Sequence, residues 1–372
     1  MHFETMVLEI FSVLGLIDAA LVALLFRRKH FYLYSLLGGC LGGGAARYFL
    51  WYALGYDGLG LWSLYLAYVL CGVMVAEIIM ALPLFLLLIA SLFRALRRGA
   101  ETLGVLVLML SLAIGVYGAM DGNQSERIEH FDIDVEGLPE TFEGYTFAQI
   151  TDTHIGPYFR YNDLAGELDR AKAEGAEAIF FTGDLIDDIR HMPEAGAILK
   201  EKEKNFADGI LYVWGNHEYY RGKDYIREEL LKTPVKLLEN ESLTIQRGDK
   251  SLYIAGVDYP WGKGEKQKRE LRAMARAAYE HIPQGAPGIL LAHHPDFIDE
   301  GFKRGTPLIL TGHTHGTQFG LFDKPLITPF SYTRGMYTDG THHGYVSRGD
   351  ASWFPFRFSC PRELAIFTLH GR

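Results

Sequence analysis

Four long apolar stretches occupy the first third of the chain: Met6–Phe26, Phe31–Leu54, Leu61–Leu92 and Thr102–Met120. Each reaches or exceeds the roughly 18–20 residues that a helix needs to cross hydrocarbon. Lipid offers no partner to a bare backbone, so a spanning segment must satisfy its own N–H and C=O groups as a helix. The expectation is a four-helix transmembrane bundle over residues 1–120. Pro83 lies inside the third stretch and is expected to kink it or end its straight part. Glu4 and Glu9 stand where a secretory leader would carry basic residues, and three more spans follow, so the first stretch reads as a span and not as a cleaved leader.

The short loops suggest an orientation. Arg27, Arg28, Lys29 and His30 join the first two stretches, and Arg94, Arg97 and Arg98 lie between the last two, whereas residues 55–60 carry only Asp57. The positive-inside rule then puts both basic loops in the cytoplasm. Everything after Met120 is expected to be extracytoplasmic, on a multi-pass protein of the cell membrane. Within the spans, Asp18 and Arg47 fall at similar depth and read as a structural ion pair, with a headgroup or ion site between helices as the sharper alternative. Glu77 finds no partner by this reasoning.

From Asp121 the texture changes. Residues 121–127 form a polar linker, and 128–372 read as a soluble domain. Of the chain's charges, 29 Lys and Arg stand against 39 Asp and Glu after residue 120. That acidic balance argues against a nucleic-acid partner, which needs a clustered basic face. Cys40, Cys71 and Cys360 are isolated and suggest neither a disulfide framework nor a cysteine-based metal site.

Predicted strands run over Ile128–Val135 (an edge strand), Thr146–Ile150, Ala178–Thr182, Ile210–Val213, Ser251–Gly256, Ile289–Ala292, Leu308–Leu310 and Leu364–Leu369. Helices are expected over Asn162–Glu174, Asp224–Lys232 and Glu265–Tyr279. Their alternation points to an α/β domain with helices outside the sheet. Trp353, Phe354, Phe356 and Phe358 alternate, and half of them are expected to pack inside the sheet.

Polar residues with ligand chemistry collect where these strands end, the position at which α/β sheets place their sites. The first strand runs into Thr151-Asp152-Thr153-His154, and the second into Gly183-Asp184-Leu185-Ile186-Asp187. The third runs into Gly215-Asn216-His217-Glu218. Later strands run into His293-His294-Pro295 and Gly312-His313-Thr314-His315-Gly316. Two divalent ions held roughly 3.5–4 Å apart clamp a phosphoryl group and supply its nucleophile. Such a pair needs a bridging carboxylate with imidazoles and carboxylates around it. This donor set suits Mn, Fe, Co or Zn better than Mg or Ca.

The motifs D-x-H, G-D-x-x-D, G-N-H-E, H-H-P and G-H-T-H, in this order over residues 128–370, resemble the calcineurin-like metallophosphoesterases. The resemblance implies a β-sandwich core flanked by helices and a binuclear centre of two divalent metal ions (Mn, Fe or Zn, with Mn favoured). By the same resemblance Asp152, His154 and His315 bind one metal, Asn216, His293 and His313 the other, and Asp184 bridges them. His217 is expected to protonate the leaving oxygen, and Asp187 to orient His217, with Asp188 as its competitor. His293 is preferred over His294 as the ligand.

Further runs, among them Ser331–Tyr337, Tyr345–Gly349, Pro355–Phe358 and Pro361–Leu364, resemble the membrane-associated bacterial branch. That branch is similar to enzymes acting on phospholipids and on UDP-diacylglucosamine. One departure is Thr317, which replaces the usual second glycine after the last ligand. The implied function is direct hydrolysis of a phosphodiester or pyrophosphate, with a lipid-linked substrate and membrane lipids as partners. The alternatives are a broad-specificity phosphoesterase on soluble extracytoplasmic substrates, or an inactive membrane sensor that keeps the fold. Arg334 and Arg348 offer planar forks for a second phosphate or for turn contacts.

Overall fold

The computed structural model describes residues 3–53, 60–326, 328–352 and 354–372. Asp57 and Trp353 lie outside the described residues. The chain divides into two compact units, residues 1–124 with 354–358, and residues 125–353 with 359–372.

The first unit is built from four helices: α1 (Phe3–Leu25), α2 (Phe31–Ala53), α3 (Gly60–Ser91) and α4 (Arg97–Tyr117). Thr5–Leu25, Trp62–Ser91 and Arg97–Gly122 are long and apolar enough to cross a membrane. The second helix matches them in length, but Gly38, Gly39, Gly42, Gly43, Gly44 and Arg47 dilute its apolar character. Those glycines bring α1 and α2 close: a Cβ on Gly38 would lie 2.2 Å from the Gly15 carbonyl oxygen. Pro83 sits inside α3, which continues to Ser91.

The expected Asp18–Arg47 pair does not form. Asp18 is buried, whereas Arg47 is exposed. Depth along two helices is only one coordinate. Gly38 faces α1, and Arg47 follows it by nine residues, which at 3.6 residues per turn puts it about 180° round the helix.

Phe354–Phe358 belongs to this unit and not to the sheet that the alternation suggested. The ring of Phe354 meets Phe49 edge-on at 5.3 Å, and Phe358 meets Tyr117 at 6.0 Å. The Arg357 amide donates to the Gly118 carbonyl at 2.9 Å. A Cβ on Gly118 would lie 2.3 Å from the Phe356 ring, so the glycine is what admits that ring.

The second unit holds two mixed six-stranded sheets. The first has the order β1 (Glu126–Val135), β14 (Arg362–Gly371), β2 (Thr146–Ile150), β3 (Ala178–Phe181), β4 (Gly209–Tyr212), β5 (Lys236–Leu237). The second has the order β12 (Gly335–Asp339), β13 (His342–Val346), β9 (Leu308–Thr311), β8 (Gly288–Leu291), β7 (Lys250–Gly256), β6 (Glu241–Arg247). A short hairpin joins β10 (Gly320–Leu321) to β11 (Lys324–Pro325).

Side chains alternate across each strand, and this period of two assembles three apolar layers. Phe147, Phe180 and Leu211 from the first sheet share one core with Ile254, Ile289, Leu291 and Leu310 from the second. On its other face the first sheet packs Ile150, Ile179 and Tyr212 with Leu164 and Leu168 of α5 (Tyr161–Ala173) and Leu199 of α6 (Met192–Lys202). The second sheet packs Leu290 and Ile309 with the later helices over Glu265–Ala278 and Phe297–Lys303. In the shared core, Phe147 lies 4.5 Å from Phe180 and 5.5 Å from Phe367. Such ring pairs contribute about 0.5–1.5 kcal/mol each beyond their buried area.

Strand β1 is an edge, as the alternation suggested, and β14 inserts between it and β2. The hairpin β12–β13 and strand β6 escaped the sequence reading because exposed polar residues interrupt their apolar periods.

Candidate metal centre

Five loops leave the C-terminal ends of β2, β3, β4, β8 and β9, so both sheets contribute to one site. The chain gathers six of the seven residues named as ligands into donor clusters there, and the seventh, Asn216, lies between Gly215 and His217 on the third loop, whose His217 amide donates to Asp184. Asp152, His154 and His315 bring donor atoms within 4.8 Å of one another, and so do Asp184, His293 and His313. His154, Asp184 and His217 form a third such group, which joins the first two.

The distances set acceptor against acceptor. His154 Nε2 lies 3.1 Å from His315 Nε2 and 3.6 Å from Asp184 Oδ2. His315 Nε2 lies 3.4 Å from Asp152 Oδ1, and His293 Nε2 lies 3.1 Å from Asp184 Oδ2. The Nδ1–H of His293 donates to the Thr182 carbonyl at 2.7 Å, and that of His315 to the Ala351 carbonyl at 3.1 Å. These bonds fix the tautomer and leave Nε2 as the ligating atom. Asn216 Oδ1 and His293 Nε2 are buried without a hydrogen-bond partner. Buried lone pairs converging without donors are what a divalent cation satisfies. The residues therefore fit a two-metal centre.

Local backbone explains how so many ligands converge. Asp152 (φ 55°), His154 (44°), Asp184 (55°), His313 (72°) and His315 (50°) all adopt the left-handed region. Each costs on the order of 1–3 kcal/mol and persists only where the surroundings enforce it. Two glycines are required beside them. Gly183 has φ 91°, and a Cβ there would lie 2.8 Å from His293 Nδ1. A Cβ on Gly215 would lie 2.1 Å from Asp184 Oδ1.

The loops are stitched together by buried carboxylates. Asp152 accepts from the His313 amide at 3.1 Å through both oxygens. Asp350, which the sequence did not single out, accepts from the Thr151 amide at 2.8 Å. Glu218 accepts from the amides of Asp184 (3.1 Å), Leu185 (2.7 Å) and Gly215 (2.8 Å), binding the second loop to the third. Its place in the G-N-H-E motif was visible, but its structural role was not. Glu218→Ala is expected to strand these three amides and lower the unfolding midpoint by several degrees, since each unmet buried donor costs about 1–3 kcal/mol. Calorimetry of the metal-loaded protein measures it; an unchanged midpoint would deny Glu218 this role.

Asp187 contacts His217, with Oδ1 2.5 Å from Nδ1, while its Oδ2 lies 3.4 Å from His154 Nδ1. Asp188 instead accepts from the Arg190 amide and guanidinium. Burial disfavours a charge on His217, but the Asp184 and Asp187 carboxylates outweigh it and hold its pKa at about 9. His294 donates nothing to the cluster: its Nε2 lies 3.3 Å from Gln267 Nε2, and burial beside His293 lowers its pKa to about 4.

An aromatic ledge borders the ligands. Tyr259 lies 5.5 Å from His313 and 5.0 Å from Trp261, and Tyr220 lies 5.5 Å from Trp261 and 5.7 Å from His217. Phe330 meets His313 at 5.4 Å. Trp261 is 41% exposed and Tyr220 64%. Tyr220, Tyr259 and Trp261 stand outside every motif that marks the ligands in the sequence. Arg348 is spent on Glu363 and on Glu129 (2.6 Å), and Arg334 donates to the Ser359 carbonyl at 3.2 Å.

Comparison with known proteins agrees with this geometry. Residues 145–317 match the model of the calcineurin-like phosphoesterase family. An uncharacterized metallophosphoesterase of Bacillus subtilis, YkuE, is 30% identical over 290 residues, covering 75% of this chain and 95% of that protein. A zebrafish (Danio rerio) transmembrane protein with metallophosphoesterase domain is 26% identical over 74% of this chain, which spans 64% of that relative's length. A dimetal phosphatase structure from Danio rerio is 13% identical at a TM-score of 0.39, over 61% of this chain and 93% of its own. With its metal-ligand clusters intact, the chain belongs to the calcineurin-like phosphoesterase family and is a metal-dependent phosphoesterase.

Proposed function

We propose that this protein hydrolyses a phosphodiester or pyrophosphate bond in a lipid-linked substrate at the outer face of the cell membrane. Residues 1–120 would form the membrane part with all four helices crossing, 121–127 the linker and 128–372 the catalytic domain. With four crossings, the basic loops at Arg27–Lys29 and Arg94–Arg98 share one side, and the positive-inside rule assigns that side to the cytoplasm.

In the proposed mechanism Asp152, His154 and His315 would hold one metal, and Asn216, His293 and His313 the other. Asp184 would serve both. When bound, the pair, with manganese favoured, supplies Lewis acidity and a nucleophile of lowered pKa. The chain's own part is orientation and proton delivery. Asp187 holds His217 through Nδ1, leaving Nε2 to give a proton to the departing oxygen.

The observation that carries the lipid reading is the aromatic ledge of Tyr220, Tyr259 and Trp261 beside the ligands, exposed at Tyr220 and Trp261. It offers an apolar seat to the part of the substrate that is not being cleaved. The β10–β11 hairpin adds a second apolar feature five residues after the last ligand, with Phe322 87% exposed between Leu321 and Asp323. Trp261→Ala is expected to raise KM for a lipid-linked ester about tenfold, the scale of one lost aromatic contact, and to leave KM for bis(p-nitrophenyl) phosphate near its starting value. Steady-state assays of the detergent-solubilised enzyme measure both. A purified enzyme that cleaves soluble esters and leaves every lipid ester untouched would move the reading to a soluble substrate.

A further inference from the structure

The first unit buries two carboxylic side chains that phosphoester chemistry does not use. Asp18 on α1 is 5% exposed and Glu77 on α3 is 7% exposed. Both oxygens of Asp18 and Oε2 of Glu77 are buried without a hydrogen-bond partner. Among the described residues of the four helices, these are the only buried acidic or basic side chains.

Their surroundings are shaped to hold them. Glu77 Oε1 lies 3.0 Å from the point where a Cβ on Gly42 would stand, and 3.2 Å from the corresponding point on Gly15. The Glu77 carboxylate therefore fills a notch between α1 and α2 that two glycines leave open. Asp18 follows Gly15 by three residues, one turn along the same face of α1. The Phe11 carbonyl oxygen lies 2.3 Å from the same Gly42 point and adds a third oxygen to the lining. Arg47, the one basic residue within the four apolar stretches, is exposed.

Two buried acids on adjoining helices, each with oxygens that have no donor, cannot both stay ionised in an apolar helical interior, where polar groups must be paired or neutralised. An oxygen-only donor set selects a hard cation. We propose that Asp18 and Glu77 form a monovalent cation site within the helical unit, taking sodium or a proton. Mg2+ is disfavoured, because it keeps several waters and needs near-octahedral coordination. The proposal is independent of the substrate read at the metal centre. It gives the helical unit a binding function beyond tethering.

The test uses the full-length, metal-loaded protein in detergent, with radioactive sodium as the probe and choline chloride to hold ionic strength. About one sodium per chain, displaced by excess NaCl and lost in both Asp18→Asn and Glu77→Gln, would support sodium as the occupant. If no sodium binds, a protonated-carboxyl infrared band in the wild-type protein that disappears in Glu77→Gln would support the proton. Hydrolysis of a soluble ester, expected unchanged in both variants, controls for folding, and the difference between the wild-type and Glu77→Gln spectra removes the bands of other buried carboxyls such as Asp350 and Glu167. No sodium uptake together with no protonated-carboxyl band that Glu77→Gln removes would overturn the proposal.

Discussion

Asp184→Asn is expected to give a folded protein with no measurable phosphoesterase turnover. Asp184 Oδ1 accepts from the His217 amide at 2.9 Å, a bond that the asparagine carbonyl can keep, so the loop has no reason to unfold. Oδ2 is the atom that lies between the imidazoles of His293 and His154. An amide nitrogen there donates where a shared cation needs lone pairs. The loss should exceed the roughly 10²–10⁴-fold that follows removal of a general acid. Metal content by mass spectrometry should fall below two ions per chain while the far-ultraviolet circular dichroism spectrum is unchanged. Hydrolysis near the wild-type rate in this variant would rule out a bridging role for Asp184.

His217→Ala separates proton delivery from metal binding. Its turnover should drop by about 10²–10⁴-fold on esters with basic leaving groups, and much less on nitrophenyl esters, whose leaving oxygen needs no proton. Metal content should stay at the wild-type level. Asp187→Asn should fall between, about 10–100-fold down, as a partner acting through another side chain. Equal losses on good and poor leaving groups would make His217 a metal-site or phosphate contact and not the proton donor.

The metal centre was open to reading because its ligands crowd the ends of short apolar strands, and such runs announce themselves. Asp184 and His293 come after uninterrupted runs of apolar or β-branched residues, Ala178–Thr182 and Ile289–Ala292, and Asp152 after a run that only Gln149 breaks. The scaffolding behind them was not legible. Glu218 is one letter of a motif, and nothing in its neighbours says that it collects three amides. The left-handed conformations of Asp152, His154, Asp184, His313 and His315 leave no mark on residue type, since aspartate and histidine are chosen there for their lone pairs. In the helices, periodicity located the segments but not their rotation about the axis, which is why Asp18 was matched to Arg47 while Glu77 was left over. The run Phe354–Phe358 misled for a related reason. Alternating aromatics look alike whether they line a sheet or a helix face.

That five-residue run has a practical consequence for anyone wanting the catalytic half as a water-soluble protein. Trimming at Ser125 would remove the glycine that admits Phe356, the ring that meets Phe354 and the carbonyl that receives the Arg357 amide. What is left is a greasy patch in the middle of an otherwise polar stretch of chain. Solubility would then be decided by Phe354, Phe356 and Phe358, and exchanging those three for polar residues is the change that a trimmed version calls for.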